Sequence, residues 1–293
     1  MLAIDGPIWA KEGTPAELLV PPKSEDAVKV AFVCGSADVR SEAPGEPQSM
    51  KQRSNAPGRV SRGLPAWLAE QAHLGTTART TLLVPRVQAG GYVLSAAPWD
   101  LEALASMEAK PDYVVQLHLD ATGSPWRARL SLIRFIDERE LWSNTYSIDD
   151  QGAEPATGIV LGRLQEDLLL QLGKLGGVAA LAPNPLGISA TWYIAMIEHG
   201  LTVLCASAEQ GKEPSMYGER SILDDLLEAA VENPASAAAR MLLLATLANM
   251  SKLQPDIVGE YREKIHKLQK ERPLAQPNAR SASDSIVGSI FAG

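Results

Sequence analysis

The stretch DYVVQLHLDATGSPWRARLSLIRFIDERELWSNTYSI, residues 112–148, has the pattern of three consecutive antiparallel strands. Its first segment alternates an apolar row with a more polar row, and a period of two places successive side chains on opposite faces of a strand. The clusters at 121–125 and 137–139 are typical of turns. Because both connections are short, we expect the strands to pair as a meander, in chain order.

The apolar rows of this meander are expected to face a core. They consist of Tyr113, Val115, Leu117 and Leu119 in the first strand, Trp126, Ala128, Leu130 and Leu132 in the second, and Trp142, Tyr146 and Ile148 in the third. The alternation blurs after Leu132, because Ile133 and Phe135 fall on the opposite row. A β-bulge, or cover on both faces of the sheet, would explain this change.

Strand and helix patterns alternate around the meander. In chain order the sequence predicts a strand at 28–34, a long loop at 35–62, a helix at 64–74, a strand at 80–84, a helix at 99–109, the meander, and a helix at 157–175. Such an order is typical of a mixed sheet with helices packed on it. The fold class predicted for this part is therefore α/β (α+β).

The second half of the chain has helical periodicity. Helices are predicted at 191–206, 221–232, 235–250 and 256–271, and no strand pattern of comparable strength follows residue 190. The predicted organisation is an extended lead-in at 1–26, an α/β domain at 27–178, a helical-hairpin region at 188–272, and a flexible tail of small and polar residues at 273–293. The apolar helix at 235–250 fits either core packing or a contact between copies.

Composition narrows the range of functions. The 293 residues are 45% hydrophobic and carry a net charge of -8, which argues against general nucleic-acid binding because that usually needs a basic field. The two cysteines, Cys34 and Cys205, are expected to be buried and reduced. We expect no membrane insertion and no secretory signal, and hence a cytoplasmic location.

Two groups of polar residues are candidate contacts for a ligand or partner. Arg53, Arg59 and Arg62 form a locally basic spot in the predicted loop, where an ordinary solvated loop is the alternative. Gln116 and His118, together with Asp120, lie on the polar row of the first meander strand. A small polar ligand could bind there, and a solvated sheet face is again the alternative.

The sequence contains no recognisable catalytic or cofactor-binding motif. The four histidines have no metal-ligand spacing, and Gly35-Ser36 is too short to indicate a phosphate loop. The pair Glu198-His199 lies six residues from Cys205, a spacing that does not share a helix face. We therefore predict no cofactor, no metal and no catalytic residue, and favour a protein that is not an enzyme.

The meander also resembles a known family. Asp112-Tyr113-Val114, Gly123, Arg127 with Arg129, Leu141-Trp142 and Tyr146 are similar to the amino-terminal, TolB-like module that accompanies some bacterial adenylate cyclases and transcriptional regulators. The run LLEAAVENPASAAARMLLLATLA resembles the tetratricopeptide-like (TPR-like) helices that often follow that module. The resemblance implies a sensory or scaffolding module without catalytic residues.

Three functions stay open on the sequence alone. The first, which we favour, is a non-catalytic protein-interaction or scaffold protein of a bacterial signalling or multiprotein assembly, whose partner is another protein or a second copy. The second is a regulatory module that senses a small molecule or nucleotide. The third is a hydrolase or transferase whose site is assembled from distant residues.

Overall fold

The chain folds into two compact units. The computed structural model describes residues 1–39, 57–86, 92–104, 110–148, 154–181, 189–208 and 218–292. The first unit, here called the α/β unit, comprises Met1–Gly6 and Lys23–Pro183, and the second, the helical unit, comprises Pro7–Pro22 and Asn184–Gly293. The predicted class is confirmed, since a mixed sheet is followed by a helical region.

A seven-stranded mixed sheet forms the α/β unit. Its strands are β1 (Leu2–Asp5), β2 (Lys29–Val33), β3 (Ala37–Val39), β4 (Arg79–Val84), β5 (Tyr113–Ala121), β6 (Trp126–Arg134) and β7 (Arg139–Ile148). They lie in the order β1-β4-β2-β5-β6-β7, and β3 pairs with the second half of β5. Strands β4, β2 and β5 are parallel, whereas β1 runs antiparallel to β4. The parallel step from β2 to β4 is made through helix α1 (Pro57–Gly75), because parallel neighbours need a crossover connection.

The predicted meander is confirmed. Strands β5, β6 and β7 pair antiparallel in chain order, and the register shifts between Leu132 and Ile133, as a bulge requires. The opposite face is also covered at this end, since Ile133 and Phe135 pack against a buried cluster. That cluster consists of Ala31, Val33, Leu83, Leu101, Leu104 and Val114. Both explanations offered for the blurred alternation therefore hold.

Helices α1 and α2 (Glu154–Leu172) lie on the face of the sheet opposite this buried cluster. Helix α2 packs on β7, where the Tyr146 hydroxyl donates to the Asp167 carboxylate at 2.6 Å. On its opposite flank, the Gln165 amide of α2 donates to the side-chain oxygen of Gln71 in α1 at 3.2 Å. The predicted stripe of α2 is buried, as expected, and comprises Leu161, Leu164, Leu168 and Leu172.

Several predicted boundaries in this unit were wrong. Residues 37–39 and 57–62, predicted as loop, form β3 and the first turns of α1, because both find partners far away in sequence. Within the predicted helix 99–109, residues 101–104 form a short 3₁₀ helix, and 105–109 lie outside the described residues. The lead-in 1–26 is not a separate segment, since its first strand pairs with β4 and 7–22 belongs to the helical unit.

The helical unit is built around α5. Its helices are α3 (Ala190–Ser207), α4 (Glu219–Glu232), α5 (Ala237–Met250), α6 (Pro255–Gly259), α7 (Arg262–Glu271) and α8 (Pro277–Phe291). Helix α5 contacts α3, α4 and α8, and Gly200 of α3 lies so close to it that an added Cβ would be 2.8 Å from Leu242. The apolar character of α5 is thus accounted for by packing within the unit. The single helix predicted at 256–271 is divided into α6 and α7.

The predicted flexible tail was also wrong. Residues 277–291 form α8, which packs against α5 and against the short 3₁₀ helix Pro15–Leu19 of the same unit. Its buried residues recur at helical spacing and are Ala279, Ala282, Ser283, Ile286, Val287 and Phe291. Small side chains suit close helix packing, so the composition that suggested disorder is instead that of a buried helix face. Among the described residues, no helix is both long and apolar enough to cross a membrane.

A buried histidine fastens the end of α1 to the sheet. His73 is 7% exposed, and its Nδ1 lies 3.1 Å from the hydroxyl of Thr80 in β4. The bare backbone of Gly6 covers the ring, because a Cβ there would be 3.2 Å from His73 Cε1. Burial, together with the neighbouring charges of Lys23 and Arg79, lowers the pKa of His73 to about 3.

This histidine should make the α/β unit sensitive to acid. Its folded-state pKa lies below the unfolded value near 6.5, so its contribution to stability is present above that pH and is lost as the pH falls towards 3. Each pH unit below 6.5 should cost about 1.4 kcal/mol. In His73→Gln, the loss of unfolding free energy between pH 7 and pH 5 should be about 2 kcal/mol smaller than in the wild type.

The difference is measured by urea unfolding, with hydrogen exchange in the peptide that carries β4 as the readout, so that the signal comes from the α/β unit. Replacement of the exposed His266 in α7 by Gln is the matched control and should keep the acid sensitivity of the wild type. Equal pH slopes for His73→Gln and the wild type would show that His73 does not carry the effect.

Candidate functional site

The candidate site lies where β2 ends and β3 begins. From β2 the chain crosses through α1 to β4 on one side of β2, and it later returns to the other side of β2 as β5. In open α/β sheets, the carboxyl ends of strands at such a change of direction form a crevice in which ligands commonly bind. Here the residues at that place are Cys34, Gly35 and Ser36, with β5 alongside.

Gly35 allows three segments to meet at this point. Its φ is +76°, and a Cβ would lie 2.6 Å from the carbonyl oxygen of Val93. Its N–H donates to the carbonyl of Ser61 in α1 at 3.0 Å, and its own carbonyl accepts from the N–H of Ser95 at 2.8 Å. A left-handed backbone and a close neighbouring chain both require glycine.

Ser36 and His118 are in direct contact. The Ser36 hydroxyl donates to the carbonyl of Ala97 at 2.9 Å, and its Oγ lies 2.8 Å from His118 Nδ1. Because a hydroxyl has one proton, the two contacts are satisfied together when His118 Nδ1–H donates to Ser36 Oγ. That tautomer leaves Nε2 of the half-buried imidazole as an acceptor. Ser36 is 2% exposed, so its hydroxyl is shielded from an attack on a bound substrate.

Charged residues surround His118 on the same sheet face. Asp38 of β3 pairs with Asp120 of β5, and His118 lies opposite Arg129 of β6. Burial lowers the pKa of His118, and Arg129 adds to the decrease, whereas Asp38 and Asp120 oppose it. The imidazole is therefore neutral at neutral pH and is flanked by carboxylates. In the parts of the chain that the structure describes, no group of three or more His, Cys, Asp or Glu could hold a metal ion.

The three polar residues predicted on β5 differ in their hydrogen bonds. His118 and Asp120 share a face, but the Gln116 amide donates to the carbonyl of Trp99 at 2.6 Å and is buried. The Asp120 carboxylate accepts from the N–H and hydroxyl of Thr122, at 3.0 and 2.6 Å, which lowers its pKa. Gln116 thus holds the loop before β5, and His118 is the residue of this group whose ring keeps an acceptor nitrogen.

The predicted basic spot takes a different form. Arg62 is in α1, only 6% exposed, with its guanidinium stacked 4.1 Å from the ring centre of Tyr92. Arg59 is half-buried in the same helix, and Arg53 lies outside the described residues. The solvated basic loop was therefore wrong for 57–62. Sequence reasoning missed Ser36 and Asp38, whose only signal was the dipeptide Gly35-Ser36.

The two cysteines, and the residues that a hydrolase or transferase could have used, lie in the core. Cys34 and Cys205 are both buried and reduced, as predicted, and the Cys34 thiol lies 3.4 Å from the carbonyl of Arg62. Glu198 and His199 are buried in α3 together with Cys205, and His199 Nδ1 is 3.7 Å from a carboxylate oxygen of Asp225. These positions favour structural roles for the three residues of α3.

The outer edge of β7 is a second candidate surface. The N–H of Leu119 donates to Ser36 on the β3 side, so the backbones of His118 and Asp120 bond β6 instead. The backbone groups of successive residues point to opposite sides of a strand. Given the pairing of β5 with β6 and of β6 with β7, this alternation directs the backbone N–H and C=O groups of Ser143, Thr145 and Ser147 away from β6. The Thr145 N–H is indeed not in the ladder, because it donates to the Asn144 side chain at 2.9 Å. Among the described strands, β7 pairs with β6 alone.

Comparison with known proteins gives no assignment. No protein-family model matches the chain, and no curated protein matches it. The TolB-like and TPR-like resemblances therefore stay predictions.

Replacing Gly35 by Ala should destabilise the α/β unit by about 3 kcal/mol, since the new Cβ meets the backbone of Val93 in a left-handed conformation. Thermal and urea unfolding measure the change. Gly123→Ala, in the turn between β5 and β6, is the matched control, because its Cβ would meet nothing within 4 Å; its effect should be within about 0.5 kcal/mol. Equal stability of the two variants would contradict the tight approach at Gly35.

Proposed function

We propose that this chain is a non-catalytic protein-interaction protein that receives an extended segment of its partner on the outer edge of β7. The observation that supports the proposal is the row of outward backbone groups at Ser143, Thr145 and Ser147. Addition of a strand to such an edge is a recurrent mode of peptide recognition, in which main-chain hydrogen bonds supply affinity.

The length and position of β7 favour this use. The strand has ten residues, and natural proteins usually cover or shorten an edge of that length because it invites aggregation. Charges occur only at its first two residues, Arg139 and Glu140, and Leu141 at the bulge is 39% exposed. The rest of the edge is neutral and of regular register, which suits pairing with a further strand.

The two faces beside β7 would give specificity. Side chains of an added strand alternate between the faces, as they do in any strand. On one side they would reach the flank of α2 near Asp167, which already contacts Tyr146. On the other they would lie beside Ser143, Thr145 and Ser147, in line with Arg127 and Arg129 of β6. A partner segment that alternates apolar and polar or acidic residues fits this pattern. We place this assembly in the bacterial cytoplasm, where two reduced cysteines are expected.

Thr145→Pro should weaken partner binding at least about tenfold, since proline removes one outward N–H, which on binding would exchange the Asn144 side chain for a partner carbonyl. The β6–β7 ladder should survive, because that N–H takes no part in it. The measurement is quantitative capture from a lysate of the source cells with wild type, Thr145→Pro and Thr145→Val, the last of which keeps the N–H.

Support requires one protein that wild type and Thr145→Val retain and that Thr145→Pro loses. Circular dichroism of each variant checks that the sheet is intact. If all three retain the same proteins in equal amounts, strand addition at β7 is excluded as the mode of binding.

A second candidate function is the sensing of a small polar molecule at His118. It is favoured by the Nε2 acceptor that the Ser36 contact leaves, at the edge of the sheet where such ligands commonly bind. A thermal-shift screen with nucleotides and small metabolites should raise the melting temperature of the wild type by a few degrees for one compound class, and should leave His118→Phe unchanged. Flat melting temperatures, or equal shifts in both proteins, would remove the support for sensing.

A further inference from the structure

The outward face of α2 carries features that the fold of one chain does not use. Contacts on both flanks fix the rotation of the helix, because Asp167 faces β7 and Gln165 faces α1. The face opposite the buried leucines carries, in order, Ile159, Arg163, Glu166 and Leu170. With 3.6 residues per turn, these four positions lie within about 60° of one another on the helix surface. We call them the outer stripe of α2.

The two apolar residues of the outer stripe are unusually exposed. Ile159 and Leu170 are each 59% exposed, and they lie at opposite ends of the stripe, about 16 Å apart along the axis. Between them, Arg163 and Glu166 are both exposed, and neither forms an ion pair or hydrogen bond within the described part of the chain. The outer stripe therefore presents an apolar residue at each end and two opposite charges between them.

The order of residues in the stripe is complementary to itself when reversed. If a second α2 runs antiparallel across the first, with the two-fold axis between residues 164 and 165, Ile159 faces Leu170 of the other copy. The same alignment places Arg163 opposite Glu166. Each of the four residues thus meets a chemically matching residue, and each contact occurs twice, as an isologous two-fold interface requires.

We propose that the outer stripe of α2 is the contact between two copies of this chain, packed as an antiparallel helix pair. Helix axes about 8–10 Å apart would bring the stripes together, and the exposed position of the stripe leaves the sheet and α1 undisturbed. The partner of the stripe is a second copy, because the complement of both the charges and the apolar ends is present in the stripe itself. The proposal does not depend on strand addition at β7.

Charge exchange tests the contact. Arg163→Glu would place glutamate opposite Glu166 of the second copy, and Glu166→Arg would place arginine opposite Arg163. Each single exchange should weaken self-association at least about tenfold, because two attractive pairs per dimer become repulsive. The double variant Arg163→Glu with Glu166→Arg restores opposite charges at both contacts and should return the dimerisation constant to within about threefold of the wild type.

Sedimentation equilibrium of the full chain at low salt gives the dimerisation constants, and circular dichroism with thermal unfolding shows that each variant is folded. Lys267→Glu, an exposed exchange on α7, is the control for net charge and should dimerise like the wild type. Ile159→Lys should weaken association independently of the charge pair.

Several outcomes would overturn the proposal. One is a wild type that stays monomeric up to its solubility limit. Another is a dimer that both single exchanges leave intact. If such a dimer is instead lost in Thr145→Pro, the copies pair through β7 and not through α2. Loss in the single variants without recovery in the double variant would also count against the antiparallel alignment, since that recovery is what the alignment requires.

Discussion

The two-sided pairing of β5 is the constraint on which the α/β unit depends. One side of this strand bonds β2 and β3 in parallel, and the other bonds β6 antiparallel along eight residue pairs. Because its backbone is hydrogen-bonded on both sides, this strand can be buried without unsatisfied polar groups, and Val114, Val115, Leu117 and Leu119 are all at most 2% exposed. Because parallel partners are distant in sequence, this strand joins β2 and β3 to the meander in one sheet.

The candidate ligand site follows from the same constraint. β5 is longer than β2, so the chain that leaves β2 has to turn at Gly35 before it can pair with β5 again as β3. That turn places Ser36 beside His118 and Asp38 beside Asp120. The polar residues are thus together because of strand pairing, and the left-handed backbone at Gly35 is the local requirement for it.

Both proposed contacts lie on the same side of the unit, away from β1. Strand β7 ends the sheet, and α2 packs on it through the hydrogen bond of Tyr146 to Asp167. A strand on the β7 edge uses backbone groups, whereas the outer stripe of α2 uses side chains. An interaction protein with both surfaces would be able to hold a partner segment and a second copy at once, which is the simplest form of a scaffold.

The sequence alone determined the elements whose patterns are local. The period of two in Tyr113 to Leu119 defined β5, the short turns defined the meander, and the leucine stripe at 161–172 defined α2, because each depends on neighbours along the chain. The blurred alternation at Ile133 indicated a bulge or cover on both faces of the sheet, and both are present.

Tertiary structure alone decided what depends on distant partners. The role of Gly35 requires Val93 beside it, the contact of Ser36 requires β5, and the order of α8 requires α5 and the segment 15–19. The sequence predicts Arg62 in a loop, whereas the residue lies in α1 with its guanidinium on the ring of Tyr92. Periodicity records which side of an element is apolar, but it does not record which segment will cover that side. The fold class and the polar row of His118 were therefore predictable from the sequence, whereas the partners of His118 were not.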